Sequence, residues 1–115
     1  MMGSKWKLFI KRDDLFGGAS AGNKLRKLSF VFAKALEDGC DSVISCGGVQ
    51  SNHARITSSM ARELGLEPHM LLRSPSPEDP CSAGSNGNMF IHHVLGCRVQ
   101  LTGKEPYETG LKPKM

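Results

Sequence analysis

The sequence predicts an α/β fold built on a parallel sheet. Three short apolar segments begin near residues 42, 69 and 97, and each gap between them carries a helical pattern. Steps of 27 and 28 residues are typical of right-handed βαβ crossovers. A chain of 115 residues has the length of one ordinary domain. We therefore expect a single unit.

The chain begins with an alternating segment and a glycine-rich lead-in. In residues 6–11, Trp6, Leu8 and Ile10 alternate with polar neighbours except at Phe9, which predicts a half-buried peripheral strand. Residues 12–22 are rich in glycine and predict a loop that can approach another group closely. We assign residues 1–22 to this strand and lead-in.

The α/β part is predicted over residues 23–102. A helix starts at Asn23, the expected cap, and ends before Gly39, with apolar residues at helical spacing: Leu25, Leu28, Phe32 and Leu36. Strands are predicted at 42–46, 69–72 and 97–101, and helices at 52–64 and 88–95. The proline-rich segment 73–88 predicts a long loop. Residues 103–115 predict an irregular tail.

Charge and composition disfavour several classes of protein. The net charge is +4, and residues 1–27 carry +5 of it, so the basic residues are local and not spread along a face as in most nucleic-acid binders. No stretch is apolar enough for a membrane span or a secretory signal, so cytoplasm is the default expectation. Four cysteines without a C-x-x-C pair predict free thiols and no metal site: Cys40, Cys46, Cys81 and Cys97.

Two segments are candidates for chemistry. The turn at 47–53 follows a predicted strand and starts a helix, where backbone N–H groups attract an anion. Its Ser51 and Asn52 either cap that helix or contact a ligand, and the residues alone support both equally. Lys24 follows the glycine-rich loop, and a partly desolvated amine beside other cations can form a Schiff base. On spacing alone a solvated basic turn is the favoured interpretation of Lys24.

Four motifs together identify a family resemblance. KRDDL at 11–15, GNKLRKL at 22–28, SVISCGGVQSNHAR at 42–55 and ARELGL at 61–66 resemble the D-cysteine desulfhydrase and 1-aminocyclopropane-1-carboxylate (ACC) deaminase family. These are pyridoxal-phosphate enzymes with the tryptophan synthase β-subunit fold, fold type II. The resemblance is dense over residues 6–73 and weaker over 87–97.

The resemblance implies roles for four residues. Lys24 matches the lysine that forms the Schiff base with pyridoxal 5'-phosphate and moves the substrate's α-proton. Asn52 matches the asparagine that bonds the ring hydroxyl oxygen of the cofactor. Ser51 matches the serine that binds the substrate carboxylate or takes part in proton transfer. His53 stands where desulfhydrase-like members have histidine and deaminases have glutamine. D-cysteine is therefore the expected substrate, and ACC is the alternative.

The length of the chain bears on what it can do. Family members run to about three hundred residues, two or three ordinary domains, and no glycine-rich phosphate loop or pyridine-nitrogen partner follows residue 102. We expect an incomplete unit in which activity is impaired, or else a non-catalytic α/β module. Leu8, Ile10, Leu25 and Leu28 are expected to face solvent. A homodimer is one assembly that a chain of full family length could form.

Overall fold

The computed structural model describes residues 6–12, 15, 18–78 and 84–103. Helix α1 spans Leu25–Glu37, strand β1 Ser42–Gly48, helix α2 Asn52–Glu63, strand β2 Glu67–Arg73, helix α3 Gly87–Val94 and strand β3 Arg98–Thr102. A 3-10 turn, Gly18–Ser20, precedes α1. Over residues 23–102 the predicted order of helices and strands is confirmed, and the bounds differ by one or two residues.

The three strands form one parallel sheet in the order β1-β2-β3. In its register Ser45 pairs with Met70, and Met70 pairs with Val99. Consecutive parallel strands joined by right-handed crossovers place their helices on one face of the sheet. Helices α2 and α3 do lie side by side, since Arg62 Nε of α2 donates to Leu95 O at the end of α3 at 2.8 Å. The predicted α/β fold class is confirmed.

Two apolar clusters hold the helices against the sheet. The first joins α1, α2 and the start of β2 through buried residues: Leu28, Phe32, Ile56, Met60, Ala61 and Leu66. The second lies between α2, α3 and the sheet: Ala54, Met70, Leu72 and Met89. Both clusters include residues of α2, because its buried face runs from Ala54 to Ala61 without an exposed position on that side. Helix α2 is therefore the central packing element.

The peripheral strand predicted over residues 6–11 is wrong. Residues 6–12 adopt no regular secondary structure, and Trp6 is 89% exposed. A strand is stabilised by hydrogen bonds to a neighbour, and the sheet consists of β1, β2 and β3 alone among the described residues. Leu8 and Ile10 face solvent as expected. An alternating pattern of apolar and polar residues does not determine whether a neighbouring strand is present to pair with.

Two expectations for the start of α1 are also corrected. Leu28 is buried at 6% exposure and Leu25 packs against the same cluster, because α2 covers this face of α1. The N-cap position is occupied by Lys24, not Asn23, and no side chain caps it. The chain enters α1 one residue later than the sequence predicts.

Thiols and hydropathy agree with the sequence analysis where the structure describes them. Cys40, Cys46 and Cys97 are free, while Cys81 lies outside the described residues. No helix in the described part of the chain is long and apolar enough to cross a membrane. The predicted tail at 103–115 lies outside the described residues after Gly103.

Candidate active site beside helix α2

A pocket of about 500 Å³ opens between α1, β1 and α2. Two predicted site residues, Lys24 and His53, line it together with Lys27. Its remaining wall is largely apolar: Leu28, Val31, Phe32, Ala35, Val43 and Ile44. An apolar pocket with a few convergent polar groups is typical of a small-molecule site. Lys24 and His53 are 29 residues apart in the chain, and folding brings them to one place.

The pocket disfavours the protonated form of His53. Burial lowers its pKa from the ordinary 6.5, and the positive charges of Lys24 and Lys27 lower it further. Its Nε2 lies 3.5 Å from Ser45 Oγ, while its Nδ1 is buried and has no hydrogen-bond partner among the described residues. A buried polar nitrogen normally has a partner. His53 therefore has one ring nitrogen without a hydrogen-bond partner among the described residues.

The lead-in before Lys24 is anchored to α2. Arg55 donates from Nη1 to Ala19 O, and from Nη2 to Ala21 O at 2.9 Å. Gly22 follows at φ +138°, and a Cβ there would lie 2.9 Å from Ile56 Cδ1. The close approach and the dihedral both require glycine at this point. These contacts determine where α1 begins relative to α2.

Lys24 itself is exposed. The Schiff-base hypothesis from sequence invoked a partly desolvated amine, and the described residues do not supply that desolvation. Its backbone carbonyl accepts from Leu28 N at 2.9 Å, which ties the residue to the first turn of α1. The described part of the chain therefore positions the lysine without enclosing it.

The turn before α2 is built on a close backbone contact. A Cβ on Gly47 would lie 2.7 Å from both Cβ and Oγ of Ser51, so only glycine fits there. Strand β1 continues through Gly48, two residues further than predicted. Ser51 is the N-cap of α2, and its Oγ accepts from Ala54 N at 3.2 Å. The capping interpretation of Ser51 is confirmed, and its hydroxyl hydrogen remains available to a ligand.

Ser51 and Lys24 line different pockets. Ser51 contributes to a second pocket of about 530 Å³ together with the β1–α2 turn and the segment 73–75. Asn52 is the exposed first residue of α2, between Ser51 and His53. The first turn of α2 thus separates the two pockets, with Asn52 at its exposed edge.

Sequence reasoning missed the residues that position this site. Arg55 belongs to the SNHAR motif but received no role, and the side chains of Gln50 and Asn88 join the starts of α2 and α3. The partners of Gln50 lie 36 to 38 residues away, a separation at which no periodic pattern operates. The only sequence feature that points to Gln50 is that it is a polar residue within a glycine-rich turn.

The donor set agrees with an anionic, carbonyl-bearing ligand. Lys24 offers a primary amine, Ser51 a hydroxyl and Asn52 an amide, and the first N–H groups of α2 form a positive helix end. This chemistry fits pyridoxal 5'-phosphate in part, since a primary amine and an amide donor are present. No group of three metal-ligating side chains occurs in the part of the chain that the structure describes.

Curated relatives align with almost all of this chain. It is 42% identical over 106 residues to the bifunctional, mitochondrial D-cysteine desulfhydrase/ACC deaminase of Arabidopsis thaliana, covering 90% of this chain. It is 38% identical to a putative ACC deaminase of Thermotoga maritima over 103 residues, and 42% identical over 95 residues to a D-cysteine desulfhydrase of Klebsiella pneumoniae. The resemblance inferred from the four motifs is confirmed.

A solved structure also matches the fold. The crystal structure of an ACC deaminase homologue superimposes with a TM-score of 0.72 at 36% identity, over 85% of this chain and 28% of that one. This chain spans 26% of the length of the Arabidopsis relative, 31% of the Thermotoga relative and 29% of the Klebsiella relative. No protein-family model matches the chain.

Proposed function

Because the chain's relatives are D-cysteine desulfhydrase and ACC deaminase proteins, we propose that it carries part of the active site of a pyridoxal-phosphate-dependent lyase acting on D-cysteine. The observation that carries this proposal is the pocket that Lys24, a primary amine, and His53 line together. The substrate class is a small amino acid. The overall reaction consumes D-cysteine and water and yields pyruvate, hydrogen sulfide and ammonia.

The cofactor would bind between α1 and the first turn of α2. When bound, pyridoxal 5'-phosphate supplies an electron sink that stabilises negative charge at the α-carbon of an amino acid. Lys24 would hold the cofactor through its Nζ, and Asn52 would donate a hydrogen bond to the ring oxygen. Residues for its phosphate and pyridine nitrogen are not proposed within this chain.

Lys24 is the residue that would move the substrate's α-proton. With the cofactor bound and Nζ released from it by the substrate's amino group, Lys24 Nζ would accept the proton from Cα, and the β-thiolate would leave with the electron pair of the Cβ–S bond. Ser51 would orient the substrate carboxylate or move a proton through its hydroxyl. His53 can form a hydrogen bond through its imidazole, and burial together with the positive charges of Lys24 and Lys27 lowers the pKa of this group.

ACC deaminase activity is the alternative, supported by the names of the Thermotoga relative and of the structural match. His53 favours desulfhydrase, because the family resemblance implies glutamine at this position in deaminases. The two activities differ in product: D-cysteine gives pyruvate, and ACC gives 2-oxobutyrate. Faster formation of 2-oxobutyrate than of pyruvate would reverse the choice of substrate.

Covalent trapping tests the proposal directly. The 115-residue chain is incubated with pyridoxal 5'-phosphate, reduced with borohydride and digested, and the labelled lysine is identified by mass spectrometry. We expect label on Lys24 in excess of label on Lys34, which is an exposed lysine of α1 outside the pocket. Lys27→Arg is the matched control, since Lys27 lines the same pocket.

The distribution of the label between Lys24 and Lys34 decides between the two interpretations. Label concentrated on Lys24, lost in Lys24→Ala and retained in Lys27→Arg, supports the proposed site and justifies assays of hydrogen sulfide release. Equal label on Lys24 and Lys34 would contradict it and support a non-catalytic α/β module.

A further inference from the structure

Three amide side chains connect the start of α2 to the start of α3. Gln50 Oε1 accepts from the backbone N–H of Asn88 at 2.9 Å, and Gln50 Nε2 donates to Asn86 O at 3.2 Å. Asn88 Nδ2 donates to Gln50 O at 2.8 Å and to Asn52 Oδ1 at 3.0 Å. We call Gln50, Asn52 and Asn88 the amide chain. It ends on a residue of the proposed site.

Backbone groups set the direction of every bond in the amide chain. A backbone N–H can only donate, so the Gln50 atom that faces Asn88 N must be the oxygen. A backbone carbonyl can only accept, so the Asn88 atom that faces Gln50 O must be the nitrogen. The second hydrogen of that nitrogen then requires an acceptor at Asn52, which is Oδ1. The orientation of the Asn52 amide therefore follows from one obligate acceptor, the backbone carbonyl of Gln50, acting through the Asn88 side chain.

The orientation of Asn52 has a chemical consequence. With Oδ1 held by Asn88, its Nδ2 group is directed away from Asn88 and is left to donate to a ligand. An Asn52 amide turned the other way would offer an oxygen, which repels an anionic oxygen. The amide chain therefore makes Asn52 a hydrogen-bond donor at the edge of α2.

The geometry around α3 is built for this contact. Gly87 has φ +53°, and a Cβ there would lie 2.5 Å from Gln50 Oε1. The N-cap residue Asn86 makes no side-chain cap, so Gln50 replaces the cap by accepting from Asn88 N. Asn88 is half-buried, which limits competition from water for its bonds. Gly87, Gln50 and Asn88 therefore all contribute to the same set of hydrogen bonds between α2 and α3.

We propose that Asn88 is a positioning residue that fixes the Asn52 amide with its NH₂ group toward the cofactor's ring oxygen. This inference rests on the proposed function for the identity of the ligand, and on the amide chain alone for the orientation. Asn88 does not touch the ligand and acts through Asn52.

Two variants that add the same charge separate positioning from electrostatics. Asn88→Asp replaces the donor by an acceptor of equal size, so Asn52 must turn its NH₂ group toward residue 88. Asn86→Asp adds the same negative charge two residues away and leaves the Asn88–Asn52 bond in place. Asn88→Ala removes the donor without adding charge, and covers the case in which Asn88→Asp does not fold.

Two readouts are measured on the 115-residue chain. The first is the through-hydrogen-bond NMR coupling between Asn88 ¹⁵Nδ2 and Asn52 ¹³Cγ, which needs no ligand. The second is titration with pyridoxal 5'-phosphate, followed by absorbance across pH. We expect Asn88→Asp to weaken binding about tenfold, or about 1.4 kcal/mol, and to raise the pH at which the ring oxygen ionises. Asn86→Asp is expected to change affinity by less than about twofold.

The outcomes distinguish this inference from the proposed function. If the coupling is present but the native chain binds no pyridoxal phosphate, the proposed function fails and the orientation of Asn52 stands. If the coupling is absent in the native chain, the inference is overturned whatever binds. Equal weakening in Asn88→Asp and Asn86→Asp, with Asn88→Ala unchanged, would also overturn it, because charge alone would then explain the effect.

Discussion

Arg55 anchors the lead-in before Lys24, and its removal should separate the stability of the fold from the position of the lysine. Arg55→Met keeps the aliphatic stem and deletes the two bonds to Ala19 O and Ala21 O. Hydrogen bonds from a charged donor contribute about 1.5 to 3 kcal/mol each when buried. Because Arg55 is only half-buried, solvent reduces this range by roughly half. We expect a loss of about 2 kcal/mol in the free energy of unfolding.

Arg62 provides a matched control on the same helix. It makes an equivalent pair of bonds, from Nε to Leu95 O at 2.8 Å and from Nη2 to Gly96 O at 2.6 Å. These hold the turn after α3 and not the lead-in. Because Arg62 is exposed whereas Arg55 is half-buried, Arg62→Met should cost a smaller free energy of unfolding, and it should not displace Lys24.

The assay combines urea unfolding with borohydride trapping of pyridoxal phosphate. For a slope of about 2 kcal/mol per molar, a loss of about 2 kcal/mol lowers the urea midpoint by about 1 M. We expect Arg55→Met to show this shift and Arg62→Met to show a smaller one, and we expect only Arg55→Met to lose the preference of the label for Lys24. If both variants lose it equally, or if neither does, the reasoning that Arg55 positions the lysine is refuted.

Two further predictions concern the glycine turn and a buried histidine. Gly47→Ala should destabilise the fold by about 1 to 3 kcal/mol, since the new Cβ meets Ser51 at 2.7 Å, whereas Gly48→Ala meets nothing within 4 Å and should leave the urea midpoint unchanged. Burial lowers the pKa of His92, and the charges of His93 and Arg55 lower it further. As the pH falls, the unfolded state therefore binds a proton on this histidine before the folded state does. The free energy of unfolding should then decrease as the pH drops below about 6.5. His92→Gln should flatten that fall in urea midpoints, and an unaltered slope would contradict this.

The pH prediction depends on how His92 is bonded. Ser58 Oγ donates to Arg55 O at 2.9 Å, so it accepts from His92 Nδ1 at 3.1 Å. The opposite nitrogen, Nε2, is buried without a partner among the described residues. Protonation would place an unpaired N–H⁺ in the interface between α2 and α3, which is the physical reason for the expected loss.

Local patterns were sufficient for the regular elements of this protein. Helical spacing at Leu25, Leu28 and Phe32, and the short β-branched segment at 42–46, predicted α1 and β1 because burial of one face selects that periodicity. Repeated βαβ steps then predicted the parallel sheet. The motifs around Lys24 and SNHAR identified the relatives, since residue identity at fixed spacing is read directly from the chain.

Other features were decided only by the tertiary structure. The alternation at residues 6–11 predicted a strand, and none forms because a strand needs a neighbour that local sequence cannot supply. The same limit applies to the site: Arg55 reaches Ala21 across 34 residues, and Asn88 reaches Asn52 across 36. Sequence established which side chains were available. Their positions and the direction of their hydrogen bonds depend on contacts between distant segments, which exist only once α2 is packed between α1 and α3.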